Sequence, residues 1–302
     1  MESFFEPVPA RLCAHRGMNL KAPENTLPAF ALAIAHGAKE IELDLWPAKD
    51  GTLMVCHDPT VNRTTDGEGY IAALDYAALR KLDAGVKFSP DFKNIRLPLF
   101  EEVLEQFGKR AVINLHIKSA GQTPVDSPEM RLRGRQLSRV YQENTPCYPP
   151  LSEGVEHVLP EVENRAVAPY SKQVFDSILK LLDRYGCMDK VYFTGEKDVL
   201  ITAMELAPNV PRCCLEGHMN YSIVENAIAY GCRRVQFCKT LLTQRMISKA
   251  KACGLHCNLF WSDDPGEALA YIDLGIDTLL TNAFDLLAGG GMLRKECNES
   301  EP

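Results

Sequence analysis

Between Cys13 and Ile71 the chain sets His15-Arg16-Gly17, Pro23-Glu24-Asn25-Thr26, Glu42-Leu43-Asp44, His57-Asp58 and Arg63-Thr64-Thr65 in close succession. Ionisable residues at this density, at spacings that strand ends can bring to one point, read as an active site. Glu42 and Asp44 lie in the alternating run Lys39-Glu40-Ile41-Glu42-Leu43-Asp44-Leu45. In a strand, residues two apart share a face, which puts the two carboxylates about 7 Å apart and pointing the same way. Such a pair flanked by apolar residues is a costly arrangement unless something cationic sits between its members, and it suits a hard divalent cation. Asp50-Gly51 is a hairpin dipeptide, so the following run to His57 turns back beside the first strand and carries His57 towards the carboxylates.

The elements that must hold these residues alternate in type. Arg11 to His15 reads as a strand and 26–36 as a helix capped by Thr26 and stopped by Gly37. Strand 39–45 follows, then the hairpin. Helix 99–107 leads to strand 111–117, helix 172–185 to strand 190–194, and helix 198–206 to strand 211–215. Helix 221–230 precedes strand 233–237, helix 243–253 precedes strand 256–261, and helix 265–274 precedes strand 277–281. Eight strands with helices between them point to a closed parallel (β/α)8 TIM barrel, with a β-hairpin after the second strand and an insertion after the third. No Gly-x-Gly-x-x-Gly follows the first strand to favour an open doubly wound sheet. Barrel enzymes work at the C-terminal ends of their strands, and His15, Glu42, Asp44, His116, Lys118, Trp261, Thr281 and Asn282 all fall there.

The 302 residues read as a single barrel domain spanning 1–302. Residues 119–171, rich in Pro and charge, break the alternation and leave the third strand beside the barrel mouth, so they read as a lid-like insertion, with a surface excursion as the alternative. The segment from Ala288 onward, with Gly289-Gly290-Gly291, reads as a frayed tail. A net charge of -7 argues against nucleic acid as a partner. The 11 cysteines fall at irregular positions and no secretory signal precedes the first strand, so reduced thiols and a cytoplasmic location are expected. No apolar run reaches the roughly 18 residues of a membrane span. Oligomeric state is left open, a homodimer included.

From Ala14 to Gly69 the H-R-G, P-E-N-T, E-x-D, D-G, H-D and R-x-T blocks, in that order, resemble the signature of the glycerophosphodiester phosphodiesterase family. Fainter similarities follow at 97–104, 114–118, 258–261 and 279–282. The resemblance implies a TIM-barrel phosphodiesterase of lipid and glycerol metabolism that takes a small-molecule phosphodiester. It implies one divalent metal ion, Mg, Mn, Ca or Zn, on Glu42, Asp44 and residue 116. Family members usually carry Glu at that last position, in E-x-K; here the strand reads His116-Ile117-Lys118. Imidazole suits zinc, manganese or iron and is a poor ligand for calcium, so His116 favours a transition ion. Lys118 resembles the family's phosphate-site lysine and Trp261 its pocket aromatic. Arg16 looks like a phosphate clamp, since its fork matches two phosphoryl oxygens.

The expected reaction is metal-assisted cleavage to an alcohol and a phosphomonoester. In the family a substrate hydroxyl next to the phosphate attacks phosphorus, and water opens the resulting cyclic phosphate. His15 and His57 would exchange the roles of general base and general acid. Two alternatives come from other classes: a non-catalytic barrel that binds phosphate ligands, and a lyase or aldolase with Lys118 as Schiff-base nucleophile. Glu216 and His218 are weaker candidates for a further contact, and His36, His157 and His256 read as structural or surface residues.

Overall fold

A computed structural model describes residues 11–119, 169–216, 222–239 and 242–289. Most of the 119–171 insertion, the tail beyond Gly289, His157 and His218 therefore lie outside the described residues.

The barrel strands are β1 (Arg11–His15), β2 (Glu40–Pro47), β4 (Val112–Ile117), β5 (Val191–Gly195), β6 (Arg212–Cys214), β7 (Arg234–Cys238), β8 (His256–Phe260) and β9 (Thr278–Thr281). All pair in parallel, and β1 joins both β2 and β9, which closes the sheet. The short β3 (Leu53–Val55) turns back antiparallel on β2, with Leu45 opposite Val55. Helices at 27–35, 100–107, 172–184, 197–206, 223–229, 244–252 and 265–273 separate the strands. The helical segments expected from periodicity are thus found within a residue or two of their expected ends.

On β2 the period of two sorts side chains between two environments. Ile41, Leu43 and Leu45 are fully or almost fully buried in the apolar layer under the helices, with Ile113, Leu115 and Ile117 of β4 and with Phe30, Phe107, Phe175 and Phe193. Each such side chain stabilises by about 1.5–3 kcal/mol when taken out of water. The alternate residues Glu40, Glu42 and Asp44 are also buried and occupy the polar side. There Tyr192 donates to Glu40 at 2.7 Å, Asn258 donates to the Tyr192 hydroxyl at 2.9 Å, and the Arg234 guanidinium lies 4.3 Å from the Tyr192 ring centre. Asn114 donates to Gln236 at 2.9 Å nearer the mouth. Hydrogen bonds across strands compensate the burial of these polar groups.

Residues 57–99 form an excursion that the strand and helix alternation did not anticipate. Single helical turns at Ile71–Ala73, Tyr76–Leu79 and Pro90–Phe92 gather around a second apolar cluster of Trp46, Met54, Cys56, Val61, Ile71, Leu79 and Leu97. Trp46 Nε1 donates to the backbone oxygen of His57 at 3.1 Å, so this small core fixes the position from which His57 faces the barrel mouth.

Candidate active site

The site begins with two departures from ordinary backbone geometry. Arg16 and Gly17 follow β1 with φ of 57° and 81°. This left-handed turn aims the Arg16 amide at Glu42 Oε2, 3.0 Å away. Position 17 must be glycine, because a Cβ there would lie 2.6 Å from the Ala29 carbonyl carbon. Asn25 is also left-handed, at φ 56°, and its own amide bonds Arg16 O at 3.0 Å. Its side chain donates to Asp44 Oδ2 at 2.8 Å and accepts from the Asp44 amide at 3.3 Å. Left-handed residues other than glycine cost on the order of 1–2 kcal/mol each. Here the strain coincides with contacts to the two carboxylates, where such strain tends to be functional.

β2 and β4 then supply a compact ligand cluster. Their register sets Asp44 directly opposite His116. His116 Nδ1 lies 3.1 Å from Asp44 Oδ1 and 3.9 Å from Glu42 Oε1. Lys118, two residues on and facing the same way, places Nζ 2.9 Å from Asp44 Oδ1. One potential ligand atom from each of Glu42, Asp44 and His116 falls within 4.8 Å of the others.

The electrostatics fit a cation at this point. Burial raises the Glu42 carboxyl well above its ordinary range, and the neighbouring Asp44 charge adds to the rise. Burial pushes Asp44 up too, but Lys118, His57, the hydrogen bond to His116 and Arg16 outweigh it and hold Asp44 well below its ordinary range. The two buried carboxyls are thus pushed in opposite directions, and a divalent charge between them would favour the ionised form of both. Asp44 Oδ1 is buried and has no well-aligned hydrogen-bond donor. Burial first and Lys118 second lower His116 from 6.5 to about 3, which leaves its imidazole neutral and able to act as a ligand. These residues fit a divalent ion.

His15, Arg16, Glu42, Asp44, His57, His116, Lys118 and Trp261 all line one cavity of about 290 Å³ at the C-terminal end of the barrel. These eight residues, expected from sequence as ligands, acid/base groups or phosphate and pocket contacts, are brought together there. Burial, then the Arg16 charge, lowers His15 to about 4, so its ring is neutral near pH 7. Its Nδ1 lies 2.8 Å from Asn282 Oδ1, and its ring stacks on Trp261 with centres 6.3 Å apart and planes 18° apart. His57 Nδ1 lies 2.7 Å from Asp58 Oδ1. Arg63 binds Asp58 through Nε at 2.7 Å and Nη2 at 3.1 Å, and reaches Glu24 at 2.8 and 2.7 Å. Glu24 also accepts from Arg16 Nη1 at 3.1 Å. This alternating chain of charges ties His57 to the loop that carries Arg16.

Several of these residues were not given roles from the sequence. Glu24, Asn25, Asp58 and Arg63 stand inside the motif blocks, and their adjacency to His15 and His57 was the available signal. Glu196 and Gln236, which also line the cavity, carry no local pattern that would single them out. Glu216 instead accepts from the Lys197 amide at 2.9 Å, at the start of the 197–206 helix. His256 bonds Thr278 at 2.8 Å, a contact between neighbouring strands. The described cysteines are all free, and every one except Cys253 is buried. Among the described residues no helix is long and apolar enough to cross a membrane.

Comparison with known proteins agrees with this geometry. Residues 15–142 match the glycerophosphoryl diester phosphodiesterase family. A glycerophosphodiester phosphodiesterase from Caldanaerobacter subterraneus is 48% identical over 107 residues, 35% of this chain and 44% of the relative. Glycerophosphodiester phosphodiesterase 1 from Bos taurus is 36% identical over 160 residues, 48% of this chain and 46% of the relative. The chain thus spans less than half the length of the curated relatives it matches. In structure, a phosphodiesterase from Oleispira antarctica, solved with the product sn-glycerol-3-phosphate, superposes with a TM-score of 0.69 at 22% identity, covering 92% of this chain and 95% of the other. A glycerophosphodiester phosphodiesterase from Agrobacterium tumefaciens gives 0.67 at 21% identity, covering 93% and 99%. At these identities the structures establish the shared barrel, while the match over residues 15–142 carries the motifs that line its mouth. Over residues 15–142 the chain is thus similar to the glycerophosphoryl diester phosphodiesterase family, in the segment that carries most of the residues lining the cavity.

Proposed function

We propose that the protein hydrolyses glycerophosphodiester-like substrates to an alcohol and a phosphomonoester, with a divalent ion held by Glu42, Asp44 and His116. The observation that carries this reading is the placement of two differently partnered histidines around one cavity with that ligand cluster and two cations. The product bound to the Oleispira antarctica enzyme supports a glycerol-based substrate class.

The chain's own residues divide the work as follows. Arg16 and Lys118 neutralise charge on the phosphoryl oxygens as it builds up. His15 is neutral and desolvated, and takes the proton of the substrate hydroxyl that attacks phosphorus. His57, backed by the Asp58 carboxylate, gives a proton to the departing alcohol oxygen. The two histidines reverse roles when water opens the cyclic phosphate. Trp261 walls the cavity on the His15 side. A divalent ion held by Glu42, Asp44 and His116 would supply Lewis-acid chemistry there, stabilising negative charge on a phosphoryl oxygen and easing loss of the hydroxyl proton to His15. Lys118 is salt-bridged to a buried carboxylate, which disfavours the Schiff-base alternative.

Chelation should abolish hydrolysis of glycerophosphodiesters, and manganese, zinc or cobalt should restore it better than calcium, because one ligand is imidazole. His116→Glu should move that order towards magnesium and calcium. His15→Ala and His57→Ala should each lower turnover by about 10²-fold or more while the fold persists. Full activity under chelation, or in either histidine variant, would remove the corresponding part of the mechanism. Phosphodiester binding without turnover under every ion would instead favour a non-catalytic barrel.

A further inference from the structure

His15 can accept a proton at Nε2 only if its neutral ring keeps its hydrogen on Nδ1. The partner of Nδ1 is the side chain of Asn282, at 2.8 Å. An amide has a donor end and an acceptor end, so whichever end meets the imidazole decides the tautomer. Here the choice is imposed from behind. Asn282 Nδ2 donates to Asp263 Oδ2 at 2.9 Å, and a carboxylate accepts only. With Nδ2 committed to Asp263, the amide oxygen faces His15. A second contact agrees: Asn19 Nδ2 donates to the same oxygen at 2.6 Å, and Asn19 is itself oriented by donating to the His15 backbone oxygen at 3.0 Å. Facing an acceptor, His15 Nδ1 carries the hydrogen. Nε2, which lies 4.0 Å from Glu42 Oε2 on the cavity side, is left with the lone pair.

Asp263 is well built for this task. It follows Trp261 and Ser262 at the end of β8, and its other oxygen accepts from Thr281 Oγ1 at 3.0 Å and from the amides of Asn282 at 2.7 Å and Ala283 at 3.3 Å. The carboxylate bridges the ends of β8 and β9 and has little freedom to turn away from Asn282. We infer that Asp263 is a positioning residue which, acting through Asn282, locks His15 in the tautomer that leaves Nε2 free to take the substrate proton. The inference rests on the reading of His15 as the proton acceptor.

Asp263→Asn offers a test. An amide at 263 can donate as well as accept, so it no longer dictates which end of Asn282 faces His15. Histidine 15N NMR of the whole protein near neutral pH, with His15 assigned by its loss in His15→Gln, reads the tautomer directly. The parent should show a protonated Nδ1 and a bare Nε2, and Asp263→Asn should show a population with these reversed. Its kcat on a glycerophosphodiester should fall by about 10²-fold while KM stays within about threefold, since substrate contacts are untouched. The exchange variant Asp263→Asn/Asn282→Asp restores an obligate acceptor against Nδ1 and should recover most of the lost kcat. The inference is overturned if the parent already holds its hydrogen on Nε2. It is overturned equally if Asp263→Asn loses activity while His15 keeps the parent tautomer, which would leave Asp263 a purely structural tie. If the parent cleaves no phosphodiester, the proposed function fails, and the NMR comparison alone still decides the role of Asp263.

Discussion

Asp58→Asn is the most informative single substitution at this site, because it removes a charge and changes almost no volume. Asp58 accepts from His57 on one side and is held in the fork of Arg63 on the other. A hydrogen bond in which one partner is charged contributes about 1.5–3 kcal/mol. The His57 and Asp58 side chains are 32% and 27% exposed, so solvent screens part of this and the lower end of the range applies. At about 1.4 kcal/mol per decade, the expected loss in kcat is roughly 10-fold.

The leaving group separates this mechanism from general damage. On the proposed mechanism, departure of an alkyl alcohol needs a proton from His57, whereas departure of a nitrophenolate does not. Asp58→Asn should therefore slow a glycerophosphodiester with an alkyl leaving group by the full factor, and slow its nitrophenyl counterpart far less. KM should change little for either, as Asp58 does not line the cavity. Equal losses on both substrates would refute the assignment of His57 as the leaving-group acid and would reduce Asp58 to a brace for the 57–99 excursion.

Two further outcomes follow from the geometry. In chelated protein, His15 and His116 are held neutral, at about 4 and about 3 against an ordinary 6.5, so the unfolded chain takes up protons first as pH falls. The stability they contribute is complete above about pH 6.5 and drains away towards pH 4 and 3; His116→Gln should flatten that slope in urea midpoints measured against pH, and an unchanged slope would contradict the burial argument. Gly17→Ala should cost about 2–5 kcal/mol, combining about 1–2 for the left-handed backbone with about 1–3 for overlap with Ala29, while Gly51→Ala at φ 83° with open space around it should cost only the backbone part; equal urea denaturation of the two variants would refute the steric account.

Sequence periodicity exposed the barrel because each helix and strand is locally consistent: Thr26 accepts from the Ala29 amide as an N-cap should, and Ile41, Leu43 and Leu45 alternate with Glu40, Glu42 and Asp44. The excursion at 57–99 was less legible, since its helical turns are too short to show a period and are held by the Trp46 and Met54 cluster instead. The candidate ligand cluster was legible because Glu42 and Asp44 lie two apart on one strand and His116 on the neighbouring one. Support for the histidines was harder to see. Asp263 is hidden beside Asp264, which caps the 265–273 helix by accepting from the Glu267 amide at 2.8 Å, and a pair of aspartates before a helix reads as capping alone. Glu40 shares the face of Glu42 and Asp44 yet is spent on Tyr192 below them, a difference of depth that alternation cannot reveal.

The exchange of an expected carboxylate for His116 also changes what the cavity prefers to hold. Around the ligand cluster, Glu42 and Asp44 are the buried anions, and Arg16 and Lys118 are the cations that face them, Arg16 Nε at 3.5 Å and Lys118 Nζ at 2.9 Å from Asp44. Formally these charges cancel, and a neutral imidazole at 116 adds nothing. A divalent ion on Glu42, Asp44 and His116 would leave the site one charge more positive than it would be with a third carboxylate at 116. A phosphodiester brings one negative charge, and the species formed as the hydroxyl attacks phosphorus carries close to two. On the proposed function, the histidine would therefore shift the electrostatic match away from the bound diester and towards the more highly charged state, which is the direction that lowers a barrier rather than merely tightening binding. The same match would extend to a dianionic phosphomonoester, so an arrangement that favours the proposed reaction would also favour retention of its product.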